Sequence, residues 1–278
     1  MFRDSNGGRG KRDLDREFEQ GGSDRRAFGG RDDYNNHGYS GQQGQMAYGQ
    51  DAGEMETRSA IYVAKVMGWM CVGLLTTVVT AMAALTVPAV WNLVFGGGFI
   101  FIVIAQFVMV LALSAGIQRM SPATATVMFM VYSGLTGLTM SVFVLLYDLS
   151  SLILAFSVTT FMFLTMSAYG FITKKDLTSL GRLAFFGLIG IIVAMIANIF
   201  LGNAMLDFAI TIIGVLVFIG LIAYDTQFIK SNYQQAMSAG YDEYSDEVRK
   251  LAIIGALKLY LDFINLFIML LRLLGRRR

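Results

Sequence analysis

Seven long apolar runs constrain the fold of this chain more than any other feature. Each run is long enough to cross the roughly 30 Å hydrocarbon layer of a bilayer as a helix. They lie near Val66–Val87, Leu93–Ile117, Ala123–Tyr147, Leu149–Ile172, Leu183–Leu206, Phe208–Ile229 and Leu251–Leu274. Hydrophobic residues make up 55% of the chain and its mean hydropathy is +0.57, which is too high for a soluble domain. We therefore predict an all-α membrane protein with seven transmembrane helices.

Proline, glycine and charged residues separate the runs. Most of the separating segments are very short, so successive helices must be antiparallel neighbours. The exception is the stretch between the sixth and seventh helices, residues 230–250, which contains many polar residues. We expect a long polar loop there.

The first 58 residues form a glycine-rich, charged arm. They contain 12 of the 30 glycines, and 20 of the 42 charged residues with a net charge of −2. Such a segment cannot bury enough apolar surface to offset chain entropy, so we predict disorder. It lacks the apolar stretch of a signal peptide, and its net negative charge argues against nucleic acid as a partner. We divide the chain into this arm, residues 1–58, and a membrane domain, residues 59–278.

The lysines and arginines in the loops between the helices lie on the side of the arm. The side of the arm carries nine of them, and the loops after the first, third and fifth helices carry none. Basic residues concentrate in cytoplasmic loops, so we predict a multi-pass protein of the cell (inner or plasma) membrane with a cytoplasmic N-terminus. The nine residues are Arg58, Lys65, Arg119, Lys174, Lys175, Arg182, Lys230, Arg249 and Lys250.

Only the final residues Arg276, Arg277 and Arg278 disagree with this orientation. Seven spans place these arginines on the outer side, whereas a re-entrant last segment would return them to the cytoplasm. We favour seven spans.

Few side chains in the membrane domain suit catalysis. The single histidine, His37, lies in the arm, and Cys71 is the single cysteine. The membrane domain therefore has no histidine for a metal site or for general-base catalysis. We expect no cofactor and no enzymatic activity.

Two aspartates lie inside runs that otherwise read as membrane spans. Asp225 is in the sixth run and Asp262 is in the seventh. A carboxylate at membrane depth costs a few kcal/mol or more, so it persists where it faces a partner, a cavity or an ion path. Asp225 lies near the end of its run, whereas Asp262 lies well inside the seventh, so equal depth requires the seventh helix to begin above the membrane boundary.

Polar residues on the last helix share one face. Lys258, Asp262, Asn265, Met269 and Arg272 follow spacings of four, three, four and three, which align on a helix. Because such a face cannot point into lipid, we predict that the last helix is central in the bundle. Asp262 then either forms an ion pair with Lys258 within the helix or shares a proton with Asp225 as a pH-sensitive latch.

Four segments resemble the transmembrane Bax inhibitor motif family, also called the Bax inhibitor-1 family. The resemblance covers roughly Arg58 to Gly275, and the sequence LYLDFINLF in the last helix is its most specific part. The segments are YSGLTG (Tyr132–Gly137), TKKDLTSLGR (Thr173–Arg182), AYDTQ (Ala223–Gln227) and LYLDFINLFIMLLRLLG (Leu259–Gly275).

The resemblance implies a fold, a site and a function. Members have seven helices with the last one central, and two aspartates at the positions of Asp225 and Asp262 form a proton-sensitive pair. An arginine at the position of Arg119 latches onto the first aspartate. The family is associated with a pH-dependent calcium leak, and bacterial relatives with modulation of a membrane-bound AAA protease.

Three functions follow from these residues. The leading hypothesis is a pH-sensitive calcium (cation) leak or channel in which Asp225 and Asp262 are the calcium ligands, Arg119 competes for the site, and Lys258, Asn265 and Tyr224 support it. The second is a regulator that conducts nothing and binds a membrane-bound quality-control protease or another membrane partner. The third is an intramembrane aspartyl protease. Those enzymes have a GxGD pattern on the second helix, whereas the local sequence here is LYLD, which argues against this function.

Overall fold

The computed structural model describes the backbone of residues 36–278 and the side chains of residues 53–117 and 119–278. A π-helical turn, Val94–Gly98, joins the second and third helices into one span. Within this part of the chain the helices are α1 (Asn36–Thr86), α2 (Pro88–Leu93), α3 (Phe99–Gly116), α4 (Pro122–Leu146), α5 (Leu149–Ile172), α6 (Thr178–Leu201), α7 (Ala204–Ser238) and α8 (Asp246–Leu274).

Seven helical stretches are long and apolar enough to cross a membrane. This confirms the predicted fold class. Residues 36–278 contain no strand; the one β-type contact is an isolated bridge between Tyr147 and Arg277. The chain is a multi-pass membrane protein.

Local sequence explains where the helices begin and end. Pro88 and Pro122 lie at the first positions of α2 and α4, where proline fits because that backbone amide needs no helical partner. The Asn203 side chain caps α7 by accepting hydrogen bonds from the amides of Met205 and Leu206. Gly202 adopts a left-handed φ of 62° and ends α6. The fifth span is therefore Thr178–Leu201 and not the predicted Leu183–Leu206.

The predicted long loop at residues 230–250 is wrong. α7 continues to Ser238 and α8 begins at Asp246, so only residues 239–245 connect them. The polar residues after Ile229 belong to an amphipathic extension of α7, in which Ile229, Tyr233 and Ala236 are buried. Their spacing of four and three places them on one helical face.

Most of the predicted arm cannot be compared with the structure. Residues 1–35 lie outside the described residues, and their disorder stays a prediction. Residues 36–58, which the sequence assigned to the arm, belong to α1. Glu56 in this segment accepts a 2.6 Å hydrogen bond from the Lys230 ammonium group. The boundary between the arm and the membrane domain at residues 58 and 59 stays a prediction.

The last helix has the largest buried share of the seven spans. In its most apolar stretch 61% of the residues are buried, whereas the other spans range from 11% to 44%. α8 contacts α4, α5, α7 and the turn Ile117–Arg119. This burial agrees with a polar face that avoids lipid, and the central position of α8 stays a prediction.

The bundle has two ends, which we name after their basic residues. The lysine end comprises residues 117–121, 173–177 and 239–245. The arginine end comprises residues 147–148, 202–203 and 275–278. α8 runs without interruption from the lysine end to the arginine end, which supports a seventh span over a re-entrant segment.

Candidate functional site: the aspartate cavity

The structure places both aspartates in the interior of the bundle at similar depth. Asp225 is 6% exposed and Asp262 is 5% exposed. Asp225 lies about 13 residues before the end of α7 and Asp262 about 16 residues after the start of α8, which corresponds to about 20 Å and about 24 Å. The extension of α7 and the early start of α8 thus satisfy the condition for equal depth.

The two carboxyl groups are neighbours. Both line the same cavity, Asp225 from α7 and Asp262 from α8. Oδ2 of Asp262 is buried and has no hydrogen-bond partner among the described residues. A buried polar atom without a partner is costly, so this oxygen is available to a proton, a water molecule or a cation.

Lys258 pairs with Asp225 across the helix interface. Its Nζ lies 3.0 Å from Oδ1 of Asp225 and 4.7 Å from the centroid of the Phe228 ring. The sequence also allowed an ion pair between Lys258 and Asp262 within α8. Among the described residues Lys258 pairs with Asp225 instead. The long lysine stem reaches α7 instead, where the ammonium group also gains a cation–π contact.

A cavity of about 590 Å³ surrounds this group. α6, α7 and α8 supply its walls. Asn265 donates a 2.8 Å hydrogen bond to the carbonyl of Leu261, which leaves its amide oxygen as an acceptor. The lining residues are Gly181, Arg182, Phe185, Phe186, Leu188, Phe218, Leu221, Tyr224, Asp225, Lys258, Leu261, Asp262 and Asn265.

The neighbours of Asp225 along the chain hold α7 in place. The Ala223 backbone packs directly against Gly170 of α5, and the Tyr224 ring packs against Gly181 of α6. At both contacts a side chain on the glycine would collide with α7, so the close approach requires glycine. The segment AYDTQ therefore joins α7 to two other helices besides supplying the buried acid.

Gln227 clamps the loop between α5 and α6. Its Oε1 accepts a 2.9 Å hydrogen bond from the Leu177 amide, and its Nε2 donates a 2.8 Å hydrogen bond to the Lys175 carbonyl. Lys230, one turn further on, donates a 3.0 Å hydrogen bond to the Phe171 carbonyl in the last turn of α5, where a cation is favourable. The sequence reasoning missed both roles, although the glutamine belongs to the quoted segment.

Asp176 orders the start of α6. Its Oδ1 accepts a 2.8 Å hydrogen bond from the Thr178 amide. The hydroxyl group and the amide of Thr178 lower the pKa of this exposed carboxyl group, because both stabilise its charged form.

Arg119 does not join the aspartates in this structure. It is exposed at the end of the turn Ile117–Arg119 and is not among the residues that line the cavity. Within the described residues it forms no ion pair. Its predicted role as a latch stays a prediction, and Lys258 occupies the position of the cation next to Asp225.

Sequence comparison decides the family. The model of the family described as "Inhibitor of apoptosis-promoting Bax1" matches residues 59–278. The chain belongs to the Bax inhibitor-1 family. This confirms the resemblance, whose segments supply Asp225, Asp262, and Gly181 and Gln227, which help to position α7.

Bacterial relatives share most of the membrane domain. The inner membrane protein YbhL of Escherichia coli (strain K12) is 47% identical over 219 residues, which cover 78% of this chain and 92% of that protein. An uncharacterized protein of Rickettsia prowazekii is 44% identical over 218 residues, 78% of this chain and 90% of its own. An uncharacterized membrane protein of Streptococcus pyogenes serotype M1 is 39% identical over 173 residues, 62% of this chain and 72% of its own.

Proposed function

We propose that this protein is a pH-sensitive cation leak whose substrate is calcium. The observation that carries the proposal is the aspartate cavity: two adjacent buried carboxyl groups, one with an unpartnered oxygen, line a space of about 590 Å³ among membrane-spanning helices. A carboxylate at membrane depth is by default a candidate for an ion or proton path. The predicted N-terminus in the cytoplasm and location in the inner or plasma membrane belong to the same proposal.

Protonation controls the charge of the cavity in this mechanism. Two buried carboxylates that line one cavity cannot both ionise cheaply, so in this mechanism the pair shares a proton. When both are ionised, the Lys258 ammonium group neutralises one charge and leaves one for a cation. When a proton is shared, no net charge remains on the group formed by Asp225, Asp262 and Lys258, and Arg182 in the same lining adds a positive charge.

The oxygen ligands suit transient binding of calcium. Asp225, Asp262 and the amide oxygen of Asn265 are the hard ligands that calcium prefers. Among the described residues no group of three or more acidic, histidine or cysteine side chains could hold a metal ion. Calcium takes six to eight oxygens, so the cavity favours a partly hydrated ion that can leave again, as conduction requires.

Calcium flux into liposomes that contain the purified protein tests the proposal. Asp225→Asn and Asp262→Asn should each lower the flux and flatten its dependence on pH. Asp242→Asn is the matched control, because Asp242 is exposed in the loop between α7 and α8. If the two cavity variants conduct like the control, the aspartates do not form the path.

A second candidate is a non-conducting regulator that binds a membrane-bound quality-control protease. The ion pair between Lys258 and Asp225 favours this candidate. Because Lys258 already neutralises Asp225, the buried acid can have a structural role without binding a transported ion. Deletion of residues 1–52 followed by partner pull-down separates the two functions. A regulator that binds through its arm loses its partner, whereas a leak keeps its calcium flux.

We also infer that the chain is not an enzyme. An aspartyl protease dyad activates a water molecule between its two carboxyl groups, and here Lys258 binds one of them directly. The relatives named above are described as membrane proteins or are uncharacterized. A cleavage assay with an aspartyl transition-state analogue checks this, since inhibitable cleavage would contradict it.

A further inference from the structure

An apolar groove lies on the opposite side of α8 from the aspartate cavity. It has a volume of about 400 Å³ and its walls come from α1, α4, α5 and α8. The hydroxyl group of Thr77, the one polar side chain in its lining, is already hydrogen-bonded to Tyr260 at 2.6 Å. The groove therefore offers hydrocarbon surface to its occupant. The lining residues are Leu74, Thr77, Val78, Ala81, Met82, Met140, Phe143, Val144, Leu149, Leu152, Ile153, Phe156, Phe263, Ile264 and Phe267.

The groove reaches from mid-membrane to the arginine end. Its deepest residue on α8, Phe263, lies about 11 residues before Leu274, or about 16 Å along the helix. One leaflet of a roughly 30 Å hydrocarbon layer is about 15 Å deep. Leu149 and Val144 border the groove near the turn at Tyr147 and Asp148. Its length therefore matches one leaflet.

Arginines lie at the turn that borders the groove at the arginine end. The final residues dock on the turn between α4 and α5: the Arg276 amide donates to Ser151 Oγ at 2.9 Å, and Arg277 Nε donates to the Tyr147 hydroxyl at 3.4 Å. Tyr147 in turn stacks on Phe143, which lines the groove. This docking places the backbone of Arg276 and the side chain of Arg277 at the turn that borders the groove.

The acids at this end do not balance the arginines. Asp148 pairs with Arg278 at 2.9 Å, and Asp207 pairs with Arg272 at 3.5 Å. Arg276 and Arg277 form no ion pair with an acid among the described residues. Two exposed positive charges thus stand next to the groove, at the end of the bundle where the positive-inside rule disfavours them.

We propose that this groove binds an anionic phospholipid, with an acyl chain in the groove and the phosphate group on Arg276 and Arg277. Guanidinium groups bind phosphate with paired hydrogen bonds, and the apolar walls match hydrocarbon. The site also explains why arginines occur at this end. The proposal is independent of cation flux.

Native mass spectrometry of the full chain in lipid nanodiscs tests this site. Phosphatidylglycerol and phosphatidylcholine of equal chain length compete for retention on the protein. The wild-type chain should prefer the anionic lipid by roughly tenfold, since each basic residue near a headgroup favours it. The double variant Arg276→Gln, Arg277→Gln should lose that preference, while Lys174→Gln, Lys175→Gln at the lysine end is matched in charge and should keep it.

Two further measurements separate the contribution of the acyl chain from that of the headgroup. Ile153→Trp fills the groove at a residue that is 58% exposed and should reduce retention of both lipids without a change in circular dichroism. Inorganic phosphate in excess should not displace the lipid. Equal retention of both lipids by the wild-type chain, an unchanged preference in the arginine variant, or displacement by inorganic phosphate would each overturn the proposal.

Discussion

Lys258 sets the charge of the aspartate cavity. Its ammonium group lies 3.0 Å from Asp225, and the side chain is 36% exposed while that of Asp225 is 8% exposed. The acid is therefore the desolvated partner, and the lysine retains part of its contact with the surroundings. In a buried pair of this kind, removal of one member leaves the other without compensation.

Replacement of Lys258 should destabilise the protein through Asp225. We expect Lys258→Met to lower the free energy of unfolding by about 1–3 kcal/mol, less than for a fully buried pair because the lysine is partly exposed. The double variant Asp225→Asn, Lys258→Met should recover part of that loss, because no uncompensated charge remains. Chemical unfolding in detergent measures both.

The exposed Lys65 on α1 provides the control, since Lys65→Met removes a lysine that lies on the surface. A loss in Lys258→Met no larger than in Lys65→Met would show that the ion pair contributes nothing to stability. A double variant less stable than either single one would contradict the charge argument.

Single residues were predictable from sequence only where their chemistry is unusual for a membrane. Asp225 and Asp262 are conspicuous because charge is costly in lipid, and the structure places them together. The partner of Lys258 was not predictable, because Asp262 one turn away on the same helix and Asp225 on another helix are both within reach of a flexible lysine. Only the three-dimensional packing of α7 against α8 decides between them.

At the scale of helices, α7 depends on close approach to α5. Gly170 lies directly under the Ala223 backbone, and a Cβ atom there would overlap it. Small residues at such contacts allow tight packing between membrane helices. The approach fixes the segment that carries Asp225.

Gly170→Val should therefore force α5 away from α7. We expect a loss of about 2–4 kcal/mol in the free energy of unfolding, because overpacking against backbone cannot relax by a side-chain rotation. Gly190→Val on α6 is the matched control, since no atom lies within 4 Å of the Cβ position there. Equal unfolding midpoints for the two variants would show that α5 and α7 tolerate separation.

Helix number was predictable from the sequence, whereas helix length was not. Runs of apolar residues define the seven spans because lipid exposure demands them. The extension of α7 beyond Ile229 is not an apolar run, because its outer face is polar and only Tyr233 and Ala236 are buried. The depth of Asp225 relative to Asp262 is counted from the helix ends. It could not be predicted without knowing where α7 ends.

At the scale of the whole molecule, charge and contacts divide the bundle into two different ends. At the lysine end, Lys230 joins Glu56 of α1 to the last turn of α5. At the arginine end, Arg278 and Arg272 pair with Asp148 and Asp207. The continuous α8 connects the two ends, so a probe that reaches one side of the membrane should react at one end only.

Labelling of single cysteines in intact cells tests this arrangement and its orientation. Cys71 is the only cysteine, so Cys71→Ser gives a background into which one cysteine is returned at a time. Because basic residues of short loops stay in the cytoplasm, Lys174→Cys should react with a membrane-impermeant thiol reagent only after the cells are opened. Asn203→Cys and Arg277→Cys at the arginine end should react in intact cells. If Arg277→Cys behaves like Lys174→Cys while Asn203→Cys reacts, the last helix does not cross the membrane; if all three patterns are reversed, the spans are correct and the orientation is opposite.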